Sequence, residues 1–498
     1  MWVHVTQEAE EYEHLLFCVG EVQQVFDVNK RMPFVVKTYK NERSMLMAFQ
    51  HMIVNHFDPD FVVTYESEVM VLLVKRLEAL NLPLHRALGR IRGQTNQSSR
   101  NGKTKLELPG RVVINLDKYI LDTKVKLRNH TLEALAQHFL ATDEVRLGED
   151  DVAALCSGEM ADRSQIVYFM SRHSQLPLQI MSKLQTVVNL VEMARVTGVL
   201  ITWLLETGDQ YKALSQLSRA CKEQGFLIAA SNFPYQGGGE KGEGTKVKGA
   251  TVLDPQIGAH VSPICTLDFA SLYPSIMIAY NVSYETLVRG DGDPRHHPDF
   301  ANRSMALADM PCKRFDESGL VDMSTAEPNQ HCNEPKQHSN TFWQRGAFGI
   351  QEGIVPSILR RLLQARKHTK MLLKKETDPN MKQILDQRQL AYKVSCNAIY
   401  GNTSSMNGKH ALPCKDLAST TTAVGRQLIE HTKCSIEDTF SVANGYHADA
   451  SVIYGLCLCP SVIYDLLCLC HLWSLHLQHT QQFQAYAYAH IDWGCELY

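Results

Sequence analysis

Short apolar runs alternate with amphipathic stretches over residues 1 to about 180. Phe61-Val62-Val63 predicts a strand, Val69 to Leu80 an amphipathic helix, and Val112-Val113-Ile114 a further strand. This part of the chain reads as mixed α/β. Ile264 to Phe269 is β-like and is followed by Pro274, which suits the first turn of a helix because its missing N–H has no partner there. Pro356 to Lys375 predicts a helix with an apolar stripe of Ile358, Leu359, Leu362 and Leu363. The segment TDPN at Thr377 breaks it, and a second helix runs through Leu385 to Tyr400. Gln94 to Lys105 is polar throughout and predicts a loop, and Gln236 to Lys248 is a glycine- and charge-rich connection without phosphate-loop spacing. Arg289 to Gly346, rich in His, Asn and Pro, predicts a surface insertion. No repeat has a solenoid period, although SVIYGLCLC at Ser451 is echoed by SVIYDLLCLC at Ser461.

With 498 residues, the chain is long enough for about three domains. Lys and Arg number 50 against 53 Asp and Glu, so 50 − 53 gives a formal charge of −3. That balance excludes a histone-like polycation but not a local basic cleft. Hydrophobic residues at 44% and charged residues at 21% are ordinary globular values. The start, MWVHVTQEAEEYEHLL, has neither the basic nor the apolar region of a signal peptide. Leu456 to Trp473 is interrupted by Pro460, Ser461, Asp465 and His471, too often for a membrane span. The expectation is a soluble intracellular protein with no membrane partner. Of 14 cysteines, five (Cys457, Cys459, Cys468, Cys470 and Cys495) crowd into the last 43 residues. The CLC pairs lack the spacing of zinc ligands, and reduced thiols are expected.

Chemistry concentrates in two stretches. In ICTLDFASLYPSIMIAY, from Ile264, Asp268 falls where a strand should give way to a helix. A carboxylate there can project into a cleft and, with phosphate oxygens, take a hard cation such as Mg²⁺. Alone, an aspartate in that position is more often a turn former or cap. On the second stretch, Arg366 and Lys370 lie four apart on one helical face. Lys393, Asn397 and Tyr400 follow i, i+4, i+7 on the next helix. An αα-hairpin would aim Arg366, Lys370 and Lys393 at one polyanion such as a triphosphate. The competing reading is a solvated basic helix pair.

Taken together and in order, DFASLYPSI and KVSCNAIYG resemble the first two signature motifs of family B DNA polymerases. VEMARVTGV at Val191, KGATVLDP at Lys248 and LLQARK…ETDP…RQLAYKVSCNAIYGNT extend the likeness. It is most similar to the delta-type branch and its viral relatives, and runs from about residue 40 to 455, most strongly from Val187 onward. The resemblance implies an α/β multidomain chain: a ribonuclease-H-like exonuclease domain, then an incomplete polymerase palm with a helical-hairpin fingers domain. The implied boundaries are 1–183 for a degenerate 3′-5′ exonuclease-like domain, 184–290 for the first part of the palm and 291–345 for a polar insertion. The fingers follow at 346–405, the second part of the palm at 406–455, and a non-homologous tail at 456–498. By the same resemblance Asp268 is the first metal-binding, catalytic aspartate. Tyr273 packs under the sugar and disfavours a 2′-hydroxyl. Arg366, Lys370, Lys393 and Asn397 hold the incoming triphosphate, and Tyr400 and Gly401 lie beside the nascent base pair. The implied reaction is in-line attack of a primer 3′-hydroxyl on the α-phosphorus of a deoxynucleotide, with Mg²⁺ in a two-ion site. Implied partners are primed DNA template, dNTPs and, for a full-length form, a clamp and accessory subunits. The implied location is the nucleus, or the replication compartment of a host for a viral protein.

Three departures qualify that picture. The third palm motif should supply a second aspartate in YGDTDS. Here NGYHADASVIYG, Asn444 to Gly455, is followed by LCLCPSVIYDLL, and neither Asp449 nor Asp465 stands in the motif's frame. Leu456 to Tyr498 contains no Lys or Arg, unlike a thumb that grips duplex phosphates. The exonuclease carboxylates are also missing. The chain starts after the strand that would carry the first pair, Val69 takes the second motif's aspartate position and His173 the third's. Glu66, Glu68, Asp117 and Asp122 read as surface charges. The expectation is therefore a DNA-directed DNA polymerase by family, impaired as written and without proofreading. The alternative is a non-catalytic relic or scaffold that keeps the fold and nucleotide binding. His296, His297, Cys312, His331 and Cys332 are too irregularly spaced for a metal module, and no iron–sulfur cluster is expected.

Overall fold

The computed structural model describes residues 2–7, 11–20, 34–65, 67–82, 88–91, 96–100, 103–122, 127–143, 147–228, 268–288, 312–316, 318–321, 340–345, 351–404 and 412–444. These fall into two compact units. The first comprises 1–195, 199–207 and 376–388, and the second comprises 196–198, 208–375 and 389 onward.

In the first unit, β1 (Trp2–Gln7) pairs antiparallel with β2 (Glu11–Val19), which runs parallel to β3 (Phe34–Tyr39). Helix α1 (Glu42–His51) starts at Asn41, whose side chain accepts the Ser44 N–H at 2.9 Å, and runs on into a π-helical turn, Met52–Phe57. Strand β4 (Phe61–Thr64) is followed by α2 (Ser67–Ala79). A hairpin, β5 (Asn96–Arg100) and β6 (Lys103–Glu107), precedes β7 (Val112–Asn115), which pairs parallel with β4. Both expected strands, at Phe61 and at Val112, thus form and lie side by side.

The hairpin corrects the loop expected over Gln94 to Lys105. NQSSR and KTKLE pair in register around Asn101-Gly102, a dipeptide suited to a two-residue hairpin turn. Polarity alone misled, because neither NQSSR nor KTKLE has the apolar alternation by which a strand is read.

Helices then dominate the unit: α3 (Leu116–Asp122), α4 (Leu132–Leu140), α5 (Glu149–Ser157), α6 (Met160–Lys183), α7 (Thr186–Thr197) and α8 (Ile201–Glu206). One core gathers Phe17, Phe49 and Val74, with the two phenyl rings edge-on at 5.6 Å. A second gathers Ile114, Leu116, Ile120, Leu135, Leu176 and Ile180. Each such side chain contributes roughly 1.5–3 kcal/mol of burial.

The second unit holds α9 (Asp209–Gln224), α10 (Leu272–Ala279), α11 (Ile354–Lys375), the part of α12 (Pro379–Ser404) from Gln389 onward, and α13 (Lys415–Thr439). The helix pair expected at Pro356 and Leu385 is present as α11 and α12. Of the β-like run Ile264 to Phe269, residues 264–267 lie outside the described residues, and Asp268 and Phe269 are not in a strand.

The stretch expected to be a polar surface insertion contributes to the core instead. Strands β8 (Cys312–Asp316), β9 (Gly319–Val321) and β10 (Asn340–Trp343) form an antiparallel sheet in the order β10-β8-β9. Phe315 and Phe342 on it are buried, 6.0 Å apart, beside Ile276, Val282 and Val424. Short strands with two or three apolar residues each were hidden among the polar residues that surround them. Cys312 is buried in β8, so it packs as an apolar side chain. All seven cysteines among the described residues are free thiols.

Candidate active site

Asp268 is exposed and sits just ahead of a tight turn into α10. Ser271 makes that turn with φ 55° and ψ 51°, the left-handed region that an L-residue enters at a cost of about 1–2 kcal/mol. The Ser275 N–H donates to the Ser271 carbonyl at 2.9 Å and the Ser275 hydroxyl to the Ala270 carbonyl at 3.1 Å, tying the turn to the helix. Pro274 lies in the first turn of α10, as its fixed φ favours.

The loop after α10 locks the start of α11. Asn281, itself left-handed at φ 53°, donates from Nδ2 to the Trp343 carbonyl at 2.9 Å and accepts the Gly353 N–H through Oδ1 at 2.8 Å. Ser283 Oγ accepts the Val355 N–H at 3.2 Å and donates to Glu285 Oε2 at 2.7 Å. The other Glu285 oxygen accepts the Ile354 N–H. Three side chains from one loop thereby satisfy amide donors that a helix start leaves without intrahelical partners, and a carboxylate is favourable at that positive end.

Arg366 and Lys370 then lie on α11. Arg366 is half-buried, and its Nε donates to Oε1 of Gln389 on α12 at 3.4 Å. Lys370 is exposed. Partial desolvation, and then the neighbouring Arg366 and Lys374 charges, hold its ammonium below the ordinary lysine range. One turn beyond Gln389 stands Lys393, half-buried, with Asn397 exposed on the same helix. Burial pushes the Cys396 thiol up to about 12, against the pull of the nearby Arg366 charge. The Tyr273 ring of α10 meets the Tyr400 ring of α12 at 4.4 Å, tilted 50°. Beside it, Gly401 faces open space: a Cβ added there would meet nothing within 4 Å.

Two groupings emerge among the expected residues: Tyr273 with Tyr400 and Gly401, and Arg366 with Lys370 and the α12 segment that carries Lys393 and Asn397. Asp268 stands at the head of α10, without a hydrogen bond or ion pair to either group among the described residues. Asp449 and Asp465 lie outside the described residues, as do 445–455 of the third motif and the tail. Among the described residues, no three His, Cys, Asp or Glu side chains converge as metal ligands.

In the first unit, Val69 is 56% exposed on α2. His173 on α6 lies 3.4 Å from Glu133 on α4 and 4.4 Å from the Phe169 ring centroid. Asp117 is half-buried and Asp122 exposed, while Glu66 and the Glu68 side chain lie outside the description.

A model of DNA polymerase family B matches residues 199–456, more than half of the chain. The chain belongs to DNA polymerase family B. A model of that family's exonuclease domain matches residues 1–135. The chain is 34% identical over 432 residues to the DNA polymerase delta catalytic subunit of Mesocricetus auratus, covering 84% of this chain and 35% of that protein. It is 34% identical over 449 residues to the Drosophila melanogaster delta catalytic subunit, covering 87% of this chain and 38% of that protein. For the Candida albicans delta catalytic subunit the figures are 35% over 450 residues, 87% and 39%. This family B polymerase chain thus spans little more than a third of the length of these relatives. Its mixed helix–strand architecture carries the family's exonuclease region in the first unit and polymerase region mostly in the second.

Motif reading missed Ser271, Gln389 and the Asn281–Ser283–Glu285 cap. Of these only Asn281 had a local signal, an asparagine immediately after a helix, where the left-handed conformation is common.

Proposed function

We propose that the second unit is a DNA-directed nucleotidyltransferase site of the delta type that takes an incoming dNTP on a primed DNA template. The reading rests on one observation: the Tyr273 and Tyr400 rings, 127 residues apart in sequence (400 − 273), meet at 4.4 Å beside an open glycine. That is a surface for a sugar and a base pair, with the α11 and α12 cations at hand for phosphates. In this reading Tyr273 senses the 2′ position, Tyr400 and Gly401 lie along the nascent base pair, and Arg366, Lys370, Lys393 and Asn397 hold the triphosphate. The helix pair acts as the fingers, and α10 and α13 belong to the palm.

Asp268 suits Mg²⁺: its carboxylate is exposed, is a hard oxygen donor, and has no hydrogen-bond partner among the described residues. Asp268 would hold the ion together with triphosphate oxygens. The bound ion supplies charge neutralisation at the phosphates. The chain's own residues supply the rest: the cations orient the triphosphate, and the paired rings orient the sugar and base.

The motif that should carry a second aspartate is broken after Gly455, so this chain binds a templated nucleotide but adds it at background rate, without proofreading. A longer form would act in DNA replication in the nucleus, or in a viral replication compartment, with clamp and accessory subunits. The test is a pair of assays on the purified chain with Mg²⁺ and a primed template: equilibrium binding of the matched dNTP, and primer extension beside Asp268→Ala. Template-dependent binding without extension is expected. Extension that Asp268→Ala abolishes would overturn the impaired reading, and absence of any matched-nucleotide binding would favour the relic.

A further inference from the structure

Gly425 sits buried in the interior of α13, where glycine costs a helix roughly 1 kcal/mol relative to alanine. Its neighbours explain the choice. A Cβ at Gly425 would stand 3.1 Å from Cε1 of Tyr273 and 3.8 Å from Cδ1 of both Tyr273 and Ile276. The first distance is tighter than an ordinary methyl contact, so the ring would have to give by a few tenths of an ångström. On its other contact the ring meets Tyr400 at 4.4 Å. The floor beneath cannot yield, because Ile276, Leu417 and Val424 are all at most 2% exposed in one core. The ring is only half-buried, so the displacement a Cβ at Gly425 forces is away from α13, toward the exposed side.

We propose that Gly425 is a positioning residue for sugar selection: its missing side chain sets the depth at which the Tyr273 ring lies and hence the clearance left for the nucleotide's 2′ position. This deepens the nucleotide-site reading above and rests on it. Adding a methyl group lifts the ring into the space a sugar would use, so the pocket narrows. A deoxyribose loses some fit, and a ribose, which needs more room, loses more. A difference of one methylene in a tight pocket is worth ~10-fold or more in discrimination.

The experiment is equilibrium binding of matched dATP and ATP, each with Mg²⁺, to the full chain on a primed template whose 3′ end is dideoxy-terminated. Wild type, Gly425→Ala, Tyr273→Leu and the double variant are compared, with far-ultraviolet circular dichroism and primed-DNA affinity as controls. Gly425→Ala is expected to weaken dATP binding several-fold and ATP binding by roughly 10-fold more, with primed-DNA affinity unchanged. The double variant should bind both nucleotides as Tyr273→Leu alone does, because the slimmer side chain leaves room for the methyl group. A folded Gly425→Ala with the wild-type dATP-to-ATP ratio overturns the inference. So does a double variant whose ratio departs from that of Tyr273→Leu, a comparison that stands even where the single alanine variant fails to fold. Wild type that binds no matched dATP overturns the nucleotide site itself, and the positioning role with it.

Discussion

The Glu192 carboxylate is 2% exposed on α7, yet it carries its charge because two arginines answer it. Arg388 donates through Nε at 2.6 Å and Nη2 at 3.2 Å, and Arg195 donates through Nη1 at 2.8 Å. Burial alone would raise its pKa; the hydrogen bonds and charges of Arg388 and Arg195 outweigh that and hold it below the ordinary glutamate value. The Arg388 and Arg195 side chains are 32% and 64% exposed, so water compensates them when the carboxylate goes, and Glu192→Gln should destabilise the chain by about 1.5–3 kcal/mol in urea unfolding, the worth of hydrogen bonds to a charged group. A depressed carboxylate contributes stability that is present above the unfolded glutamate pKa, about 4.3, and is lost as pH falls through the folded value. Wild type should therefore lose stability on acidification more steeply than Glu192→Gln does. Lys370 gives the opposite limb. Its ammonium is held below the ordinary lysine range by desolvation, then by Arg366 and Lys374, so its charge is lost earlier as pH rises. Binding of Mg²⁺-dATP should weaken on the alkaline side before ordinary lysines titrate, and Lys370→Arg should shift that limb upward. A limb unmoved by the substitution would remove Lys370 from the triphosphate site.

At the scale of elements, α11 depends on a cap that no single residue provides. Asn281→Ala removes the donor to the Trp343 carbonyl and the acceptor of the Gly353 N–H, and places a Cβ-bearing apolar residue at φ 53°. A cost of about 2 kcal/mol is expected, the upper end of what lost caps cost. Hydrogen exchange should show it as selective loss of protection in the first turn of α11, and uniform loss across the second unit would contradict a local cap. Helices α11 and α12 were legible in the sequence because their apolar stripes and the TDPN break are contained in a few turns. The cap was not, because Asn281 and Gly353 are 72 residues apart. The β5–β6 hairpin was written locally, in Asn101-Gly102, and was passed over for lack of apolar alternation. The β8–β10 sheet was hidden for the opposite reason, since Phe315 and Phe342 find each other across a long polar stretch. Of the candidate site, the motif residues were legible through resemblance, whereas Gly425 became visible only when Tyr273 was found on it in three dimensions.

For the whole molecule, a formal charge of −3 means that overall attraction does not bring a triphosphate or DNA to this chain; local cations must do it. Arg366, Lys370 and Lys393 are the grouped positive charges of the second unit that the site reading uses. Replacing all three with glutamine changes the formal charge from −3 to −6, since −3 − 3 = −6. Three neutralised side chains should remove most of the salt-dependent part of Mg²⁺-dATP binding, because that part comes from short-range ion pairing screened over about 10 Å at 0.1 M salt. The expected result is a loss of affinity at low salt and a flatter dependence of binding on salt concentration, with helical content unchanged. A solvated basic helix pair predicts something else: a small shift in affinity that follows the change in net charge, equal to that from neutralising three exposed lysines elsewhere. Neutralising the exposed Lys40, Lys75 and Lys118, all in the first unit, gives the same −6 and serves as that comparison. If both triple variants bind alike, the helix pair is only a charged surface. If only the Arg366–Lys370–Lys393 variant fails, the cations act by position rather than by number.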